Sequence, residues 1–341
     1  MRYLISASLD FHAERNVPLT VRLSIKKLLC LFLAAALALA CGGCAAKAQT
    51  EHNGVRVVAS TYPLYALASA VSAGADSVDV SRLNTGEVSC LHDYTLTVSD
   101  MRRLEQADLL LLNGAGLEEF LDEVIDQLNG SIIADCSTAV NLLESDGGHH
   151  HEDYDHEEHG HDHEYDPHYW MDPRNAAMTA SFIAERLSDT DPENAELYAE
   201  NAAAVSDALN AAYDSWRGQL VDLSCPYLIT FHDGFQYFAD AFGLELLFAM
   251  EEEDGATASA RDILTASQLV REYSLPAVFT EQNGSGAAAR AVSGETGVRV
   301  NTLSMLMDGP DAPEGGTDAV LRATYLALMG KNITTLAEVL K

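Results

Sequence analysis

The sequence predicts an α/β protein of two lobes, each built on a mainly parallel four-stranded sheet, joined by one long rigid helix. Three observations predict it. Short apolar runs alternate with helical stretches in two series, residues 55–135 and 227–303, the pattern of strands linked by crossover helices. An alanine-rich stretch with few breakers, AELYAENAAAVSDALNAAYDSW, lies between the two series. The chain has 341 residues, enough for two ordinary domains.

The elements follow in order. VRVVAS (55–60) reads as a strand, YPLYALASAVSAG as a helix and DSVDVSRL as a second strand. SDMRRLEQA is a helix with Ser99 as its N-cap. DLLLLNG is a buried strand, GLEEFLDEVIDQLNG an amphipathic helix stopped by glycine, and SIIADCS a fourth strand. Asp172-Pro173 gives an N-cap with proline at N1. The helical region then runs from about Arg174 to Leu220, with a break or kink near Asp189–Pro192. In the second series YLITFHDG, LELLFAM, PAVFTEQ and VRVNTLS are strands. FQYFADAFG, ARDILTASQLVREYS and SGAAARAVSGETG are helices, and further helices close the chain. The domains are accordingly an N-terminal lobe at 55–172, a connecting helix at 173–222 and a C-terminal lobe at 223–341.

A targeting segment precedes them. RLSIKKLLCLFLAAALALA, Arg22 to Ala40, has basic residues, an apolar run and then small residues. That is a secretory signal, too short and wrongly flanked for a stable membrane span. The signal is placed at 1–40. Asp10 and Glu14 fit a basic leader poorly, so the natural start is expected near Val21. Cys41, directly after Ala38-Leu39-Ala40, is the expected lipidation site of a bacterial lipoprotein, with Cys44 as the alternative. Residues 41–54 form the tether. Cys90, Cys136 and Cys225 lie at no metal-like spacing, and sequence does not pair them.

The formal charge is −32, with five lysines and fifteen arginines. Charge of that sign excludes binding to nucleic acid or to an anionic membrane face by electrostatics, and it attracts cations. Three histidines sit where α/β folds bind ligands, at strand ends and in adjacent loops. His92 lies in GEVSCLHDYTLT, His168 in DPHYWMDP before the connecting helix, and His232 at the end of YLITFH. Glu281 ends PAVFTE. Separate loops from both lobes each deliver one imidazole. Imidazole suits Zn²⁺, and three or four N/O donors at about 2.0–2.2 Å make a tetrahedral site. Asp93, Asp166 and Asp233 neighbour the three histidines as orienting carboxylates or as helix caps.

These segments carry a resemblance. HDYTLTVSDMRRLEQADLLLLNGAGLEEFL, DPHYWMDPRNA and FHDGFQYFADAFGL, with FTEQ and GETG after them, are similar to the zinc/manganese-binding lipoproteins that serve ABC metal importers. The resemblance covers nearly all of the mature chain. It implies two lobes bridged by a rigid helix and metal held in the cleft. It also implies a monomer that is lipid-anchored outside the cytoplasm and delivers its ion to an ABC permease and its ATPase. His92, His168 and His232 match the family's three histidine ligands. Many relatives place an aspartate in a Leu-Asp-Pro-Leu segment, where this chain has LSML and Ser304. The fourth position stays open between Glu281, a water and the cluster Glu251–Glu253. Three histidines without that aspartate resemble the zinc branch more than the manganese branch, and Mn²⁺ is the alternative ion.

The segment 147–166 carries His149, His150, His151, His156, His159, His161 and His163 among many carboxylates, with no apolar run to bury. It reads as a disordered loop. In the resembled family such tracts mark the zinc-specific members. The expectation is an accessory that collects ions or senses their load, since His92 and His232 lie far from it in sequence. Two other readings stand beside ion capture. A zinc hydrolase would also use three protein ligands, yet the chain has no H-E-x-x-H helix. A metal-binding adhesin is compatible with capture.

Overall fold

The structure, a computed structural model, describes residues 54–83, 94–125, 128, 132–145, 164–250 and 259–341. The signal and tether with Cys41 and Cys44, the loop of Cys90, His92 and Asp93, the seven histidines of 149–163, and Glu251–Glu253 lie outside the described residues.

The first sheet contains β1 (Val55–Ala59), β2 (Val78–Arg82), β3 (Leu109–Leu112) and β4 (Ile132–Asp135), all parallel in the order β2-β1-β3-β4. The run LLLL of β3 is apolar at every position because helices cover both faces of a parallel sheet. Helix α1 (Tyr62–Val71) is buried along almost its whole length and starts on Thr61, whose hydroxyl accepts from Leu64 N. Helix α2 (Val98–Gln106) is capped by Thr97 instead of Ser99. Thr97 and Asp100 form a reciprocal capping box, which needs an acidic residue at N3, and only Thr97 has one there. The helix expected over 116–130 is, among the described residues, a 3-10 turn at Glu119–Leu121 followed by the short α3 (Asp122–Ile125).

The helical stretch breaks where the sequence suggested. Helix α4 (Pro173–Thr190), capped by Asp172, ends at Asp191, and α5 (Ala195–Leu220) follows a turn at Pro192–Asn194. The two run back alongside each other, with Ser206 Oγ donating to Ala177 O at 3.3 Å. Asp191 Oδ2 ties the turn, accepting from Tyr198 Oη at 2.6 Å, Asn194 Nδ2 at 2.8 Å and Ser77 Oγ at 3.1 Å. The 26-residue α5 is the long helix between the lobes.

The second sheet repeats the topology: β5 (Tyr227–Thr230), β6 (Glu245–Ala249), β7 (Ala277–Glu281) and β8 (Arg299–Leu303), parallel in the order β6-β5-β7-β8. Its helices are α6 (Gln236–Phe242), α7 (Ala260–Glu272) and α8 (Ala287–Thr296), with α9 (Thr317–Ala323) and α10 (Tyr325–Val339) at the end. Helix α5 touches α1 of the first lobe and both α9 and α10 of the second. Among the described residues no helix is long and apolar enough to cross a membrane.

One apolar core crosses between the lobes. Val57, Leu109 and Leu111 of the first sheet belong to the same buried cluster as Phe279, Leu303 and Tyr325 of the second lobe. Trp170 sits between them, with its indole Nε1 donating to Met305 O at 2.9 Å and its own carbonyl accepting from Tyr325 Oη at 2.6 Å. A polar strap adds to this. Arg82, at the end of β2, stacks over Tyr62 and donates to Gly309 O at 3.2 Å. Tyr62 Oη donates to Pro310 O, and Tyr65 Oη accepts from Ala312 N.

In a doubly wound sheet the ligand crevice opens at the carboxyl ends of the two strands whose crossovers diverge. In the first lobe these are β1 and β3, and the crevice is filled by Glu118. Its carboxylate accepts from Ser60 Oγ at 2.5 Å, Asn113 N at 2.7 Å and Gly114 N at 3.0 Å. Gly114 (φ +79°) allows this turn, since a Cβ there would collide with the Asp135 carboxylate. Burial pushes the Glu118 carboxyl up to about 7, against the pull of its three donors. The folded state thus holds this proton more tightly than the unfolded state. The resulting stability is fully present below about 4.5 and is lost as pH rises through about 7. In urea unfolding from pH 4.5 to 8, the stability of the parent relative to Glu118→Gln should fall by at most roughly 3 kcal/mol. A pH-independent difference would show that Glu118 stays ionised throughout.

Candidate metal centre

The second lobe has the same crevice between β5 and β7, and its contents differ. His232 follows β5 and Glu281 ends β7, so the topology itself brings them together. Glu281 Oε2 lies 3.3 Å from His232 Nδ1, and both residues are buried.

His168 reaches the same place from the first lobe. It stands before a 3-10 turn, Tyr169–Met171, that leads into α4. Its backbone N and its ring Nδ1 both donate to Asp166 Oδ1, each at 2.8 Å. Asp166 Oδ2 is buried with no hydrogen-bond partner among the described residues. The flanking peptides are pinned to the end of β3. Asn113 Nδ2 donates to Pro167 O at 3.0 Å, and Tyr169 Oη donates to Asn113 O at 2.8 Å. The Glu118 crevice therefore anchors the segment that carries His168.

A carboxylate only accepts, so the His168 Nδ1 bonded to Asp166 carries a proton, which leaves Nε2 as the ring atom that can face a cation. The two imidazoles lie edge to face, with centroids 5.5 Å apart and an interplanar angle of 84°. Gly234 lies against the Cδ2 edges of both. A Cβ on it would stand 3.0 Å from each Cδ2 and 2.3 Å from Met305 Cε. Two imidazoles whose Cδ2 edges flank one glycine are ring types suited to a divalent cation of borderline softness.

Glu281, a fourth-ligand candidate from the sequence, lies beside His232 at the end of β7, and Asp166 lies beside His168. Ser304 uses its hydroxyl to accept from Leu306 N at 3.0 Å, while Asn332 holds both its N–H and its C=O. The structure brings His168, His232, Asp166 and Glu281 together, and His92 lies outside the described residues. Among the described residues no group of three His, Cys, Asp or Glu side chains is arranged to hold a metal ion. Among the described residues Cys136 and Cys225 form no disulfide.

Sequence reasoning passed over Trp170, whose ring packs 5.2 Å from that of His168. It also passed over Gly234 and Tyr237. Tyr237 Oη accepts from Leu143 N at 2.8 Å and donates to Asp166 O at 3.0 Å. Burial pushes that phenol up to about 12, so it stays protonated. The signal available was position: all three lie within five residues of a candidate ligand.

Fold and site define a bilobal α/β protein with imidazole donors at the inner ends of its sheets. The chain belongs to the ZnuA family, zinc-uptake complex component A, periplasmic, whose model matches residues 57–339. The high-affinity zinc uptake system protein ZnuA of Brucella abortus (strain 2308) is 30% identical over 326 residues, covering 84% of this chain and 94% of its own length. The zinc-binding protein AdcA of Streptococcus pyogenes serotype M3 is 28% identical over 310 residues, 85% of this chain. The chain spans only 57% of the length of that AdcA relative. Among solved structures, AdcAII of Streptococcus pneumoniae superposes with a TM-score of 0.69 at 27% identity, covering 84% of this chain and 99% of that one. The laminin-binding protein Lmb of Streptococcus agalactiae, described as bifunctional with adhesin and metal-transporting activity, gives 0.69 at 26% identity, with coverage of 84% and 100%.

Gly234→Ala should push the two rings apart or displace Met305. The expected cost is about 1–3 kcal/mol of stability in urea unfolding. A variant as stable as its parent would show that the rings are loosely held.

Proposed function

We propose that the chain captures Zn²⁺ outside the cytoplasm and delivers it to a membrane permease driven by an ATPase. The observation that carries this reading is the pairing of His168 and His232. They come from different lobes, their ring centroids lie 5.5 Å apart, and a carboxylate lies beside Nδ1 of each. With His92 as the third imidazole, three nitrogen donors and one further position make a tetrahedral zinc shell. Membership of a zinc-uptake family supports the same ion. Glu281, beside His232, is proposed for that further position, and Asp166 aligns the His168 ring and raises its basicity.

The chain is read as a carrier and not as a hydrolase. Its sequence lacks a base-bearing H-E-x-x-H helix. Cys41 is proposed to carry the lipid that keeps the monomer near its permease. The histidines of 149–163 are proposed to gather ions close to the centre. The acidity of the chain, −32 overall, favours that local enrichment.

Calorimetric zinc titration tests the assignment. His92→Ala, His168→Ala and His232→Ala should each weaken the tight site by more than the ~10–100-fold typical of losing an orienting partner. Unchanged affinity in His168→Ala or His232→Ala would remove the basis of the reading. Deleting 149–163 should lower the number of ions bound while one tight site persists. Disappearance of the tight site instead would make the tract the primary binder.

A further inference from the structure

Helix α6 begins four residues after His232 and carries Tyr237, which is buried to 3% exposure. Its phenol does not reach either imidazole. It reaches a short antiparallel ladder formed by the two segments that flank 146–163. In that ladder Asp166 N donates to Leu143 O at 3.0 Å, Ser145 N donates to Glu164 O at 3.2 Å, and Glu144 bridges Tyr165. A regular ladder would add the reciprocal bond from Leu143 N to Asp166 O. Here the phenol is inserted into that bond: Leu143 N donates to Tyr237 Oη, which donates to Asp166 O. Gln236 Nε2, the neighbouring side chain of α6, donates to Glu144 O at 3.3 Å.

We propose that Tyr237 is a positioning residue for the ion site, fixing Asp166 and through it the ring of His168. This rests on the reading that His168 and His232 ligate the ion. The mechanical logic is direct. Asp166 is held on its carbonyl by α6, on its N–H by Leu143, and on Oδ1 by His168. Because α6 starts at the crevice that holds His232, one short element sets the position of both imidazoles. Without the hydroxyl, Leu143 N and Asp166 O lose their shared partner. The ladder can then close on itself, which draws Asp166 towards Leu143 and its carboxylate away from His168 Nδ1. The lobe that contributes His232 thus also sets the orientation of the ring contributed by the other lobe.

The test is zinc affinity of the full chain, measured by competition with a chromogenic chelator with Zn²⁺ as the only metal. Tyr237→Phe should weaken the tight site by ~10-fold, and Asp166→Asn by roughly 10–100-fold. The double variant should be no weaker than Asp166→Asn alone, because both changes act on one path. Tyr198→Phe deletes a comparable hydroxyl bond at the remote α4–α5 turn. It should lower Tm and leave affinity unchanged, which separates positioning from general loss of stability. In histidine-labelled protein, the His168 Nδ1–H signal should be protected from exchange in the parent and lose that protection in Tyr237→Phe. If Tyr237→Phe does not fold, Tyr237→Leu, which also lacks the hydroxyl, supplies a second variant for the same cycle, with the same outcomes expected. Parental affinity in the Tyr237 variant, or full additivity with Asp166→Asn, overturns the proposal. His232→Ala runs beside them. If it retains tight binding, the site reading itself fails; if it loses binding while the Tyr237 variant does not, only the positioning role falls.

Discussion

The junction between the two lobes depends on how Trp170 is held. Its indole donates to Met305 O and its carbonyl accepts from Tyr325, so one residue of the first lobe is bonded twice to the second. It is almost wholly buried in a core that both sheets share. Removing such a side chain costs on the order of 3–5 kcal/mol. Two residues upstream is His168, and its ring packs against the indole. The lobes are therefore joined by close-packed atoms at the point where their imidazoles meet. Wide opening would have to break that packing, and interiors of native density do not deform gradually. Smaller shifts of loops at the strand ends are the movements this core permits.

The two lobes solve one topological problem differently. Both sheets have the same strand order pattern, with a crevice between the first and third strands. In the first lobe the crevice is closed by a carboxylate from its own chain, Glu118, bound by a hydroxyl and two peptide N–H groups. In the second the corresponding place holds His232 and Glu281. The plugged crevice still serves the other one, because Asn113 links Glu118 to the Pro167 carbonyl and the Tyr169 phenol on either side of His168. The first lobe braces His168, and the second supplies His232.

Much of this was legible in the sequence. Strand and helix alternation identified all eight strands, because buried parallel strands are short apolar runs between turn residues. His168 and His232 stood out because they follow such runs or precede a capped helix. Asp166 was legible as a neighbour of His168, although a cap and an orienting carboxylate look alike in sequence. The nearness of Glu281 to His232 was not legible: it depends on β5 and β7 being neighbours in the sheet, which the chain order alone does not give. The cap of α2 depended on which hydroxyl had an acid three residues on. That α4 and α5 lie side by side could not be read from the break alone, since Asp-Pro interrupts a helix without giving the direction of the next. Tyr237 was hidden because its partners are backbone atoms 71 and 94 residues away.

The same tryptophan has an optical consequence. The chain contains two tryptophans. Trp170 lies against His168, whereas Trp216 sits in α5 beside Gly330 of α10. An indole in van der Waals range of an imidazole is quenched according to that ring's charge and orientation. The emission of this protein thus carries one component tuned by the pocket and one indifferent to it. Occupancy can be followed in the unlabelled molecule, with its second fluorophore as an internal reference.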